Sequence, residues 1–381
     1  MSKRPIAVDL FSGAGGLSLG FEMAGFDVAI AVELNPIHCA TYQFNFPNTA
    51  ILCQSVVKTT GKEIRDRAKL ENRDIDVVFG GSPCQGFSLI GKRNLSDSRN
   101  QLVFEFVRLV LELQPKYFVL ENVKGITVGE SKKFLLEVIN SFKANNYSVL
   151  DYQVLNAANY GVPQNRERLF LLGARKGLQL PNYPKPITRK PDDKKFDLPT
   201  CPTVWDAIAD LPEIENYPEL LERDWVVAEY GKPSPYAAML RRFVAQEDDY
   251  SYPRSFNPML LTNSLRTNHS LAIADRFKST NQGTIEPISH FYKLAPDGIC
   301  PTLRAGTDSS RGRHTAARPI HPFKPRVITV REAARLHSYP DWFRFHKTKL
   351  NGFQQVGNSV PPLLAKAVCS ILINLLEVNP S

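Results

Sequence analysis

The sequence lacks the features of a disulfide-rich, metal-binding or membrane-embedded protein. Its 6 cysteines are spread over 381 residues, with no CxxC pair and no Cys/His cluster at metal-ligand spacing. This usage is typical of thiols in a reducing compartment and predicts neither a disulfide framework nor a metal site. The chain also has no run of 18 apolar residues and no signal peptide at its start. We therefore expect a cytoplasmic protein that does not span a membrane.

Positive charge is abundant and unevenly placed. The formal net charge is +9 at pH 7, and the isoelectric point is near 9.2. Residues 254–349, here called the basic segment, contain 16 Lys and Arg against 6 Asp and Glu. Residues 206–249, the acidic segment, contain 4 against 11. A basic excess confined to one segment is the footprint expected of a nucleic-acid contact surface, with a solvated basic face as the alternative.

The first 175 residues alternate short apolar runs with amphipathic stretches. Strands that alternate with helices predict an α/β fold, in which helices cover both faces of a parallel sheet. The predicted strands cover residues 6–10, 28–33, 76–80, 117–121, 149–155 and 169–172. The predicted helices cover residues 17–24, 36–45, 101–113 and 132–143.

The composition changes after this α/β region. Residues 181–202 are rich in Pro, Lys and Asp, as linkers are, and the chain beyond them is irregular and loop-rich. Residues 361–376 form an apolar helical pattern opened by prolines, which must bury its face against the α/β core. We therefore predict an α/β domain at 1–178, a second domain with a hinge at 179–350, and a C-terminal segment at 351–381 that returns to the first domain.

A glycine-rich turn joins the first predicted strand to the first predicted helix. It reads Asp9-Leu-Phe-Ser-Gly-Ala-Gly-Gly16, and its glycines let the backbone approach a ligand at the helix N-terminus. Glu33 ends the second strand, where a carboxylate can hold a ribose diol. The two features together favour a nucleoside cofactor, either a dinucleotide or S-adenosylmethionine. A tight turn and a surface charge are the alternatives.

Candidate catalytic residues lie at the ends of later strands. Cys84 lies in the loop GGSPCQGFS, Glu121 closes the strand YFVLEN, and Arg166 and Arg168 lie in QNRER. Active sites gather at the carboxyl edge of a parallel sheet in this architecture. A cation beside a thiolate and a carboxylate lowers the pKa of the thiol and orients the acid. These residues predict a nucleophile with a nearby acid, with a buried thiol and a surface charge run as alternatives.

Taken in order, these segments resemble the motif series of the cytosine-5 DNA methyltransferase family. DLFSGAGGLSLGF is similar to the cofactor loop, VELNP to the ribose-binding strand end, GGSPCQGFS to the Pro-Cys loop, ENV to the catalytic acid and QNRERLF to the Gln-x-Arg-x-Arg element. RVITVREAARLHSYPDWF and QQVGNSVPP resemble the two late motifs. The resemblance implies a doubly wound, Rossmann-like methyltransferase domain that binds S-adenosylmethionine, with a smaller, irregular target-recognition domain.

The resemblance also implies roles for individual residues. The thiolate of Cys84 would add to C6 of a flipped cytosine, Glu121 would hydrogen-bond N3, and Arg166 and Arg168 would hold the base oxygen and the acid. The implied cofactor-binding residues are Asp9, Phe11, Gly13, Gly15, Gly16, Glu33, Ser55, Pro83, Asn358 and Ser359. The implied DNA-binding residues are Gln85, Ser88, Gln164, Thr302, Leu303, Arg304, Arg311 and Arg313. Ser55 departs from the family pattern, which normally has an Asp at the adenine amino group.

The implied cofactor is S-adenosylmethionine, and the implied partner is double-stranded DNA, with no metal. The compact form favours, by family analogy, a bacterial modification enzyme. We expect it to act as a monomer at the nucleoid, beside a restriction endonuclease for the same site. An RNA cytosine-5 methyltransferase on the same scaffold and a non-catalytic DNA-binding relative are the alternatives. A nicotinamide oxidoreductase would leave the PCQ, ENV and QNRER segments unexplained.

Overall fold

The computed structural model describes residues 4–83, 102–194, 197–306 and 318–378. The strands in these ranges are β1 (Ile6–Leu10), β2 (Asp27–Glu33), β3 (Ala50–Cys53), β4 (Val77–Gly81), β5 (Tyr117–Val123), β6 (Tyr147–Val149), β7 (Gln153–Asn156), β8 (Gln164–Asn165), β9 (Glu167–Arg175), β10 (Val226–Val227), β11 (Leu260–Leu261) and β12 (Cys300–Pro301). The helices are α1 (Gly16–Met23), α2 (Pro36–Asn45), α3 (Gly61–Arg67), α4 (Leu102–Leu113), α5 (Ser131–Ala144), α6 (Val204–Ile208), α7 (Pro235–Leu240), α8 (Leu271–Ser279), α9 (Val330–Leu336), α10 (Lys349–Asn358) and α11 (Pro362–Val378).

The central sheet has eight strands and mixes parallel with antiparallel pairs. Its order is β3-β2-β1-β4-β5-β9-β6, and β7 also pairs with β9. Strands β1 to β5 run parallel, as the sequence predicts. Strand β9 is antiparallel to β5, β6 and β7, so the parallel pairing that the sequence predicts holds for β1 to β5 and not for the pairs that involve β9. Only residues 157–166 join β7 to β9, which is too short for the crossover that parallel neighbours require.

The elements predicted from periodicity are close to those observed, with two kinds of error. The predicted strand at 149–155 is divided into β6 and β7. Strand β3 and helix α3 were not predicted. Strand β3 is apolar but only four residues long, and none of them is fully buried. Helix α3 is mostly charged and buries only Gly61 and Ile64.

Apolar side chains cover both faces of the sheet. One face packs against α4 and α5, whose Phe106 and Phe142 are fully buried. The other packs against α1 and α11, and Phe21 of α1 stacks on Phe79 of β4 with ring centroids 3.7 Å apart. A Cβ on Gly20 would collide with Ala365 of α11. The C-terminal helix α11 therefore packs against the α/β core beside α1.

The C-terminal stretch Lys349–Leu376 is long and apolar enough to cross a membrane by length and composition alone. It consists of α10 and α11, which a short turn with two prolines separates. Half of its most apolar window is buried inside the protein. Leu364, Val368 and Leu372 belong to the core beside α1. The hydrophobicity of this stretch is therefore that of helices packed into a protein core.

The basic segment points partly inward, where it meets the acidic segment. Arg335 is 0% exposed and pairs with Asp210 at 2.9 Å. Arg326 is 8% exposed and pairs with Glu215 at 2.7 Å. Both carboxylates belong to the acidic segment, so the two segments neutralise each other in part. The interpretation of the basic segment as a DNA-contact surface is therefore wrong for these two arginines.

Candidate active site

A cavity of about 480 Å³ lies at the carboxyl edge of the parallel strands. Most of the described residues that line it end or follow β1, β2, β3, β4 and β5. The others include Leu102, Arg168, the C-terminal end of α10 and the two residues after it, Ser359 and Val360. Ligands bind at this edge in open α/β sheets, because the loops after neighbouring parallel strands meet there. The topology therefore brings the predicted cofactor and catalytic segments to one cavity.

The loop after β1 depends on glycine for two different reasons. Gly13 and Gly15 have φ angles of 55° and 99°, a region that favours glycine. Gly16 is closely packed instead, and a Cβ there would lie 2.5 Å from the carbonyl oxygen of Val360. Phe11 lines the cavity and also has a positive φ of 63°. Backbone strain at a non-glycine residue is characteristic of functional sites.

Glu33 lies at the end of β2, and its carboxylate faces the cavity. One oxygen accepts a hydrogen bond from the Gly13 N–H at 2.9 Å, and the other accepts one from the Asn35 N–H at 2.8 Å. Burial raises the pKa of Glu33, but hydrogen bonds from His38, Asn35 and Gly13 outweigh it and hold the pKa below its ordinary value. The carboxylate is therefore ionised at neutral pH, and each oxygen keeps capacity for a further hydrogen bond.

Two other predicted cofactor residues occupy different positions. Ser55 lines the cavity, and its hydroxyl accepts a weak hydrogen bond from the Val57 N–H at 3.3 Å. Asp9 does not line the cavity. It is fully buried, and it accepts a hydrogen bond from Ser18, which also hydrogen-bonds the hydroxyl of Tyr42 at 2.7 Å. Asp9 therefore supports α1 from inside the core.

Glu121 and Arg168 form a buried ion pair on the cavity wall. The Nε atom of Arg168 lies 3.0 Å from Oε1 of Glu121. Both residues line the cavity. Gly81 is the partner of Glu121 in the β4–β5 register, and a Cβ there would lie 2.5 Å from Oε2 of Glu121. The absence of a side chain at Gly81 therefore leaves room for the carboxyl group.

The environment of Glu121 favours its protonated form. Burial raises the pKa of Glu121 above its ordinary value, although Arg168 and Arg166 act in the opposite direction. Desolvation disfavours the charged form of a carboxyl group, and one close cation does not fully offset it here. A carboxyl group with a raised pKa can donate a hydrogen bond near neutral pH.

The predicted nucleophile, Cys84, lies outside the described residues. Pro83, the residue before it, lines the cavity. Gln85, Ser88, Arg311 and Arg313 also lie outside the described residues.

Arg166 and Gln164 are buried in the interior rather than lining the cavity. Arg166 is 0% exposed and donates to the carbonyl oxygens of Leu303 at 2.9 Å, Gly357 at 2.7 Å and Ser359 at 2.7 Å. Gln164 is also 0% exposed, and its amide group bonds the Leu336 carbonyl oxygen, the His337 ring and the Leu303 N–H. Of the two arginines in QNRER, Arg168 is the one that contacts Glu121.

The other predicted residues lie beside this cluster. Strand β12 pairs with β8, and the Thr302 hydroxyl donates to the carbonyl oxygen of Asn165 at 2.7 Å. Leu303 is buried, whereas Arg304 is exposed. The last two, Asn358 and Ser359, line the cavity.

One buried residue of this cluster, His337, was not singled out from the sequence. Its ring lies between Gln164 and Ser359, with hydrogen bonds of 3.0 and 3.1 Å. Burial holds the pKa of His337 well below its ordinary value, so the ring is neutral. Its place in the late motif RLHSYPDWF is the only indication that the sequence offers.

Comparison with known proteins identifies the family. A profile described as C-5 cytosine-specific DNA methylase matches residues 6–374. The chain is 60% identical over 378 residues to the Type II methyltransferase M.XorII of Xanthomonas oryzae pv. oryzae, which covers 99% of this chain and 86% of that relative. It is 33% identical over 374 residues to the Type II methyltransferase M1.HphI of Haemophilus parahaemolyticus, with 97% and 86% covered.

Solved structures agree with this assignment. A DNA modification methyltransferase encoded within an E. coli prophage superposes with a TM-score of 0.78 at 33% identity, covering 98% of this chain and 99% of that one. DNMT2 of Spodoptera frugiperda superposes with a TM-score of 0.60 at 16% identity, covering 97% and 99%, a likeness that shows the fold alone. The chain belongs to the C-5 cytosine-specific DNA methylase family: it is a DNA cytosine-5 methyltransferase that uses S-adenosylmethionine as its methyl donor.

Proposed function

We propose that this enzyme methylates a cytosine flipped out of duplex DNA, through a transient covalent bond between Cys84 and C6 of the base. The observation that carries the proposal is the buried Glu121–Arg168 pair, with 3.0 Å between Nε and Oε1. The pair shares one cavity with Glu33 and Pro83. The proposed acid, the proposed cofactor carboxylate and the residue before the proposed nucleophile therefore line the same cavity.

The cavity residues fit S-adenosylmethionine. Glu33 is ionised, and each of its oxygens can accept a ribose hydroxyl beside the bond it already has. The glycine loop leads into the N-terminus of α1, where N–H groups favour the carboxylate of an amino acid. Ser55 lines the same cavity, and we assign its hydroxyl to the adenine amino group. When bound, S-adenosylmethionine supplies an electrophilic methyl group to C5.

The protein residues activate the cytosine ring. The Cys84 thiolate adds to C6, and the electron pair of the C5–C6 bond moves to C5. Protonated Glu121 donates a hydrogen bond to N3 and stabilises the negative charge that develops in the ring. After C5 has gained the methyl group, a base removes the C5 proton. The Cys84–C6 bond then breaks, which restores the aromatic ring and the thiolate.

The two arginines of QNRER have different roles in this proposal. Arg168 holds Oε1 of Glu121, so we assign Oε2, the oxygen beside Gly81, to the base. Arg166 donates only to main-chain carbonyl oxygens among its described hydrogen bonds. Arg166 is therefore a positioning residue, and Arg168 is the arginine that faces the chemistry.

Base flipping follows from the depth of the site. Glu121 is 8% exposed, so a base that is still stacked in a duplex does not reach it. Extrusion costs a few kcal/mol, which contacts to the DNA backbone offset. We assign such contacts to Thr302 and Arg304, which are exposed beside β8, and to Arg311 and Arg313. Gln85 and Ser88, which follow Cys84 in the sequence, are also assigned to DNA contacts.

The alternatives are disfavoured by specific observations. The relatives at 60% and 33% identity are Type II methyltransferases, whereas the likeness to DNMT2 is one of fold. A non-catalytic relative would have no need for an acid of raised pKa beside Arg168. We further propose that the enzyme acts as a monomer on genomic DNA in a bacterial cytoplasm, where it protects the site of a partner restriction endonuclease.

Bisulfite sequencing tests the proposal directly. Plasmid DNA is incubated with the protein and S-adenosylmethionine, with Cys84→Ser as the control. We expect protected cytosines in one short recurring sequence, and no protection with the variant. An unprotected plasmid, together with methyl transfer to RNA, would replace the proposal with the RNA alternative. Equal protection by the variant would overturn the assignment of Cys84.

A further inference from the structure

Three buried side chains connect the cofactor cavity to the segment assigned to DNA. The cofactor side is the turn at residues 357–360, here called the cofactor turn, which lines the cavity. The other side is residues 300–306, here called the target segment. Gln164, Arg166 and His337 lie between them, and each is 0% exposed.

Arg166 holds both segments with one guanidinium group. Its Nη1 atom donates to the carbonyl oxygen of Leu303 in the target segment at 2.9 Å. Its Nη2 atom donates to the carbonyl oxygens of Gly357 and Ser359 in the cofactor turn, both at 2.7 Å. A planar, rigid donor fixes the relative position of the groups that it bonds. A shift of one segment therefore changes the hydrogen bonds that Arg166 makes to the other segment.

Gln164 and His337 form a second connection, and its hydrogen-bond directions are fixed. The carbonyl oxygen of Ser359 only accepts, so Nε2 of His337 carries the hydrogen that bonds it at 3.1 Å. Nδ1 of the neutral ring is then an acceptor, and the Gln164 amide donates to it at 3.0 Å. The amide oxygen of Gln164 remains to accept the Leu303 N–H at 3.3 Å. Every group in this chain has a matched partner.

The two segments also touch directly. A Cβ on Gly357 would collide with the main chain of Arg304 and Ala305. On the other side of the turn, a Cβ on Gly16 would lie 2.5 Å from the carbonyl oxygen of Val360. Main-chain packing therefore extends from the glycine loop, through the cofactor turn, to the target segment. Interiors this tightly packed transmit displacements rather than absorb them.

We propose that His337 is a positioning residue that couples occupation of the cofactor site to the conformation of the target segment. Ligand contacts fix the cofactor turn, and the His337–Gln164 bond transfers this constraint to the Leu303 amide. The relevance of the coupling to DNA rests on the proposed function, but the coupling itself does not. Two sites that bias one shared arrangement affect each other reciprocally.

Amide hydrogen exchange of the target segment measures this coupling without DNA. The probe is S-adenosylhomocysteine, added at saturation to the full-length protein. We expect it to slow exchange in peptides covering residues 300–306 by about tenfold, within the usual range of coupling between sites. His337→Leu removes both hydrogen bonds of the ring but leaves those of Arg166. We therefore expect the slowing to fall to about threefold, while binding of the probe by calorimetry is retained.

Two variants separate coupling from general destabilisation. His337→Gln keeps one acceptor and one donor on a side chain of similar length, so we expect it to restore the slowing. His321→Leu makes the same substitution at another buried histidine, which accepts from the N–H groups of Phe323 and Lys324 outside the connection. We expect His321→Leu to keep the slowing even where its stability falls.

Several outcomes would overturn the proposal. These are slowing in His337→Leu equal to the wild type, no slowing in the wild type, and a His337→Gln variant that behaves like His337→Leu. Should His337→Leu not fold, Gln164→Leu replaces it, with the same expected loss. A protein that shows the coupling and yet leaves DNA unmethylated would overturn the proposed function alone.

Discussion

The cavity and the region around α9 both bury arginine–carboxylate pairs, but the pairs differ in how many arginine contacts surround the carboxyl group. In the cavity, Arg168 holds one oxygen of Glu121, and burial still raises the pKa of Glu121 above its ordinary value. In the region around α9, Arg335 pairs with both Asp210 and Asp341. Burial raises the pKa of Asp341, but Arg335 outweighs it, and the pKa stays below the ordinary value.

The difference shows how the same residue types serve chemistry or structure. A carboxyl group whose pKa is raised by burial, as at Glu121, holds its proton to a higher pH and can share it with a substrate. A carboxyl group enclosed by arginines remains charged and joins chain segments. Counting charges along the sequence does not distinguish a catalytic carboxylate from a structural one, because each adds one negative charge to the count.

The largest expected effect comes from the loosely enclosed pair. Glu121→Gln keeps the shape of the side chain but removes the acid, so we expect the rate of methyl transfer to fall by about 10²–10⁴-fold. Because the protonated form is the active one, the wild-type rate should also decline as the pH rises through the raised pKa of Glu121. Transfer of radiolabelled methyl groups to duplex DNA at several pH values measures both effects. A variant that keeps the wild-type rate and the same alkaline decline would contradict the role of Glu121.

The second largest effect is expected on protein stability, from a change to Arg335 and its two aspartate partners. Arg335→Met leaves Asp210 and Asp341 buried without their main partner, and such a loss costs about 3–5 kcal/mol in the free energy of unfolding. Arg344→Met, at an exposed arginine of the same segment, should change it by about 0.5 kcal/mol or less. Urea unfolding followed by circular dichroism measures both. Equal losses in the two variants would remove the distinction between inward and outward arginines.

The smallest effect concerns an outward arginine of the basic segment. Arg304 is exposed beside β12, and we expect Arg304→Ala to lower the slope of log affinity for DNA against log salt by about 1. Lys62→Ala on α3, an exposed lysine paired with Asp66, should leave the slope unchanged. Fluorescence anisotropy of a labelled target duplex over a salt series gives both slopes. An unchanged slope for Arg304→Ala would remove Arg304 from the DNA contacts.

Sequence patterns predicted those site residues whose positions follow from where the strands of the sheet end. Glu33 ends β2 and Glu121 lies near the end of β5. The carboxyl ends of parallel strands meet at one edge of the sheet, so the sequence predicts that both residues lie at that edge. The same reasoning does not predict that the side chain of Arg166 points into the protein interior. Its partners, Leu303 and Ser359, lie far along the chain, so its inward orientation depends on packing that local sequence does not contain.

Helix α9 illustrates why the inward arginines were misinterpreted. All seven of its residues are buried, including Arg331 and Arg335. A helix that is buried on every side has no polar face, so its periodicity does not distinguish a core arginine from a surface one. The strand at 169–172 was predicted, but its antiparallel direction in β9 was not, because strand direction depends on the connection and not on the apolar run.

The central claim is the covalent step at Cys84, and trapping the adduct tests it most directly. The substrate is a duplex that contains the recognition sequence found by bisulfite sequencing, with 5-fluorocytosine in place of the target cytosine. It is incubated with the enzyme and S-adenosylmethionine. Because the C5 fluorine is not removed as a proton would be, the Cys84–C6 bond should persist. Mass spectrometry of the digested complex should then locate the base on the peptide containing Cys84. An adduct on another residue, or none while ordinary DNA is methylated, would contradict the account.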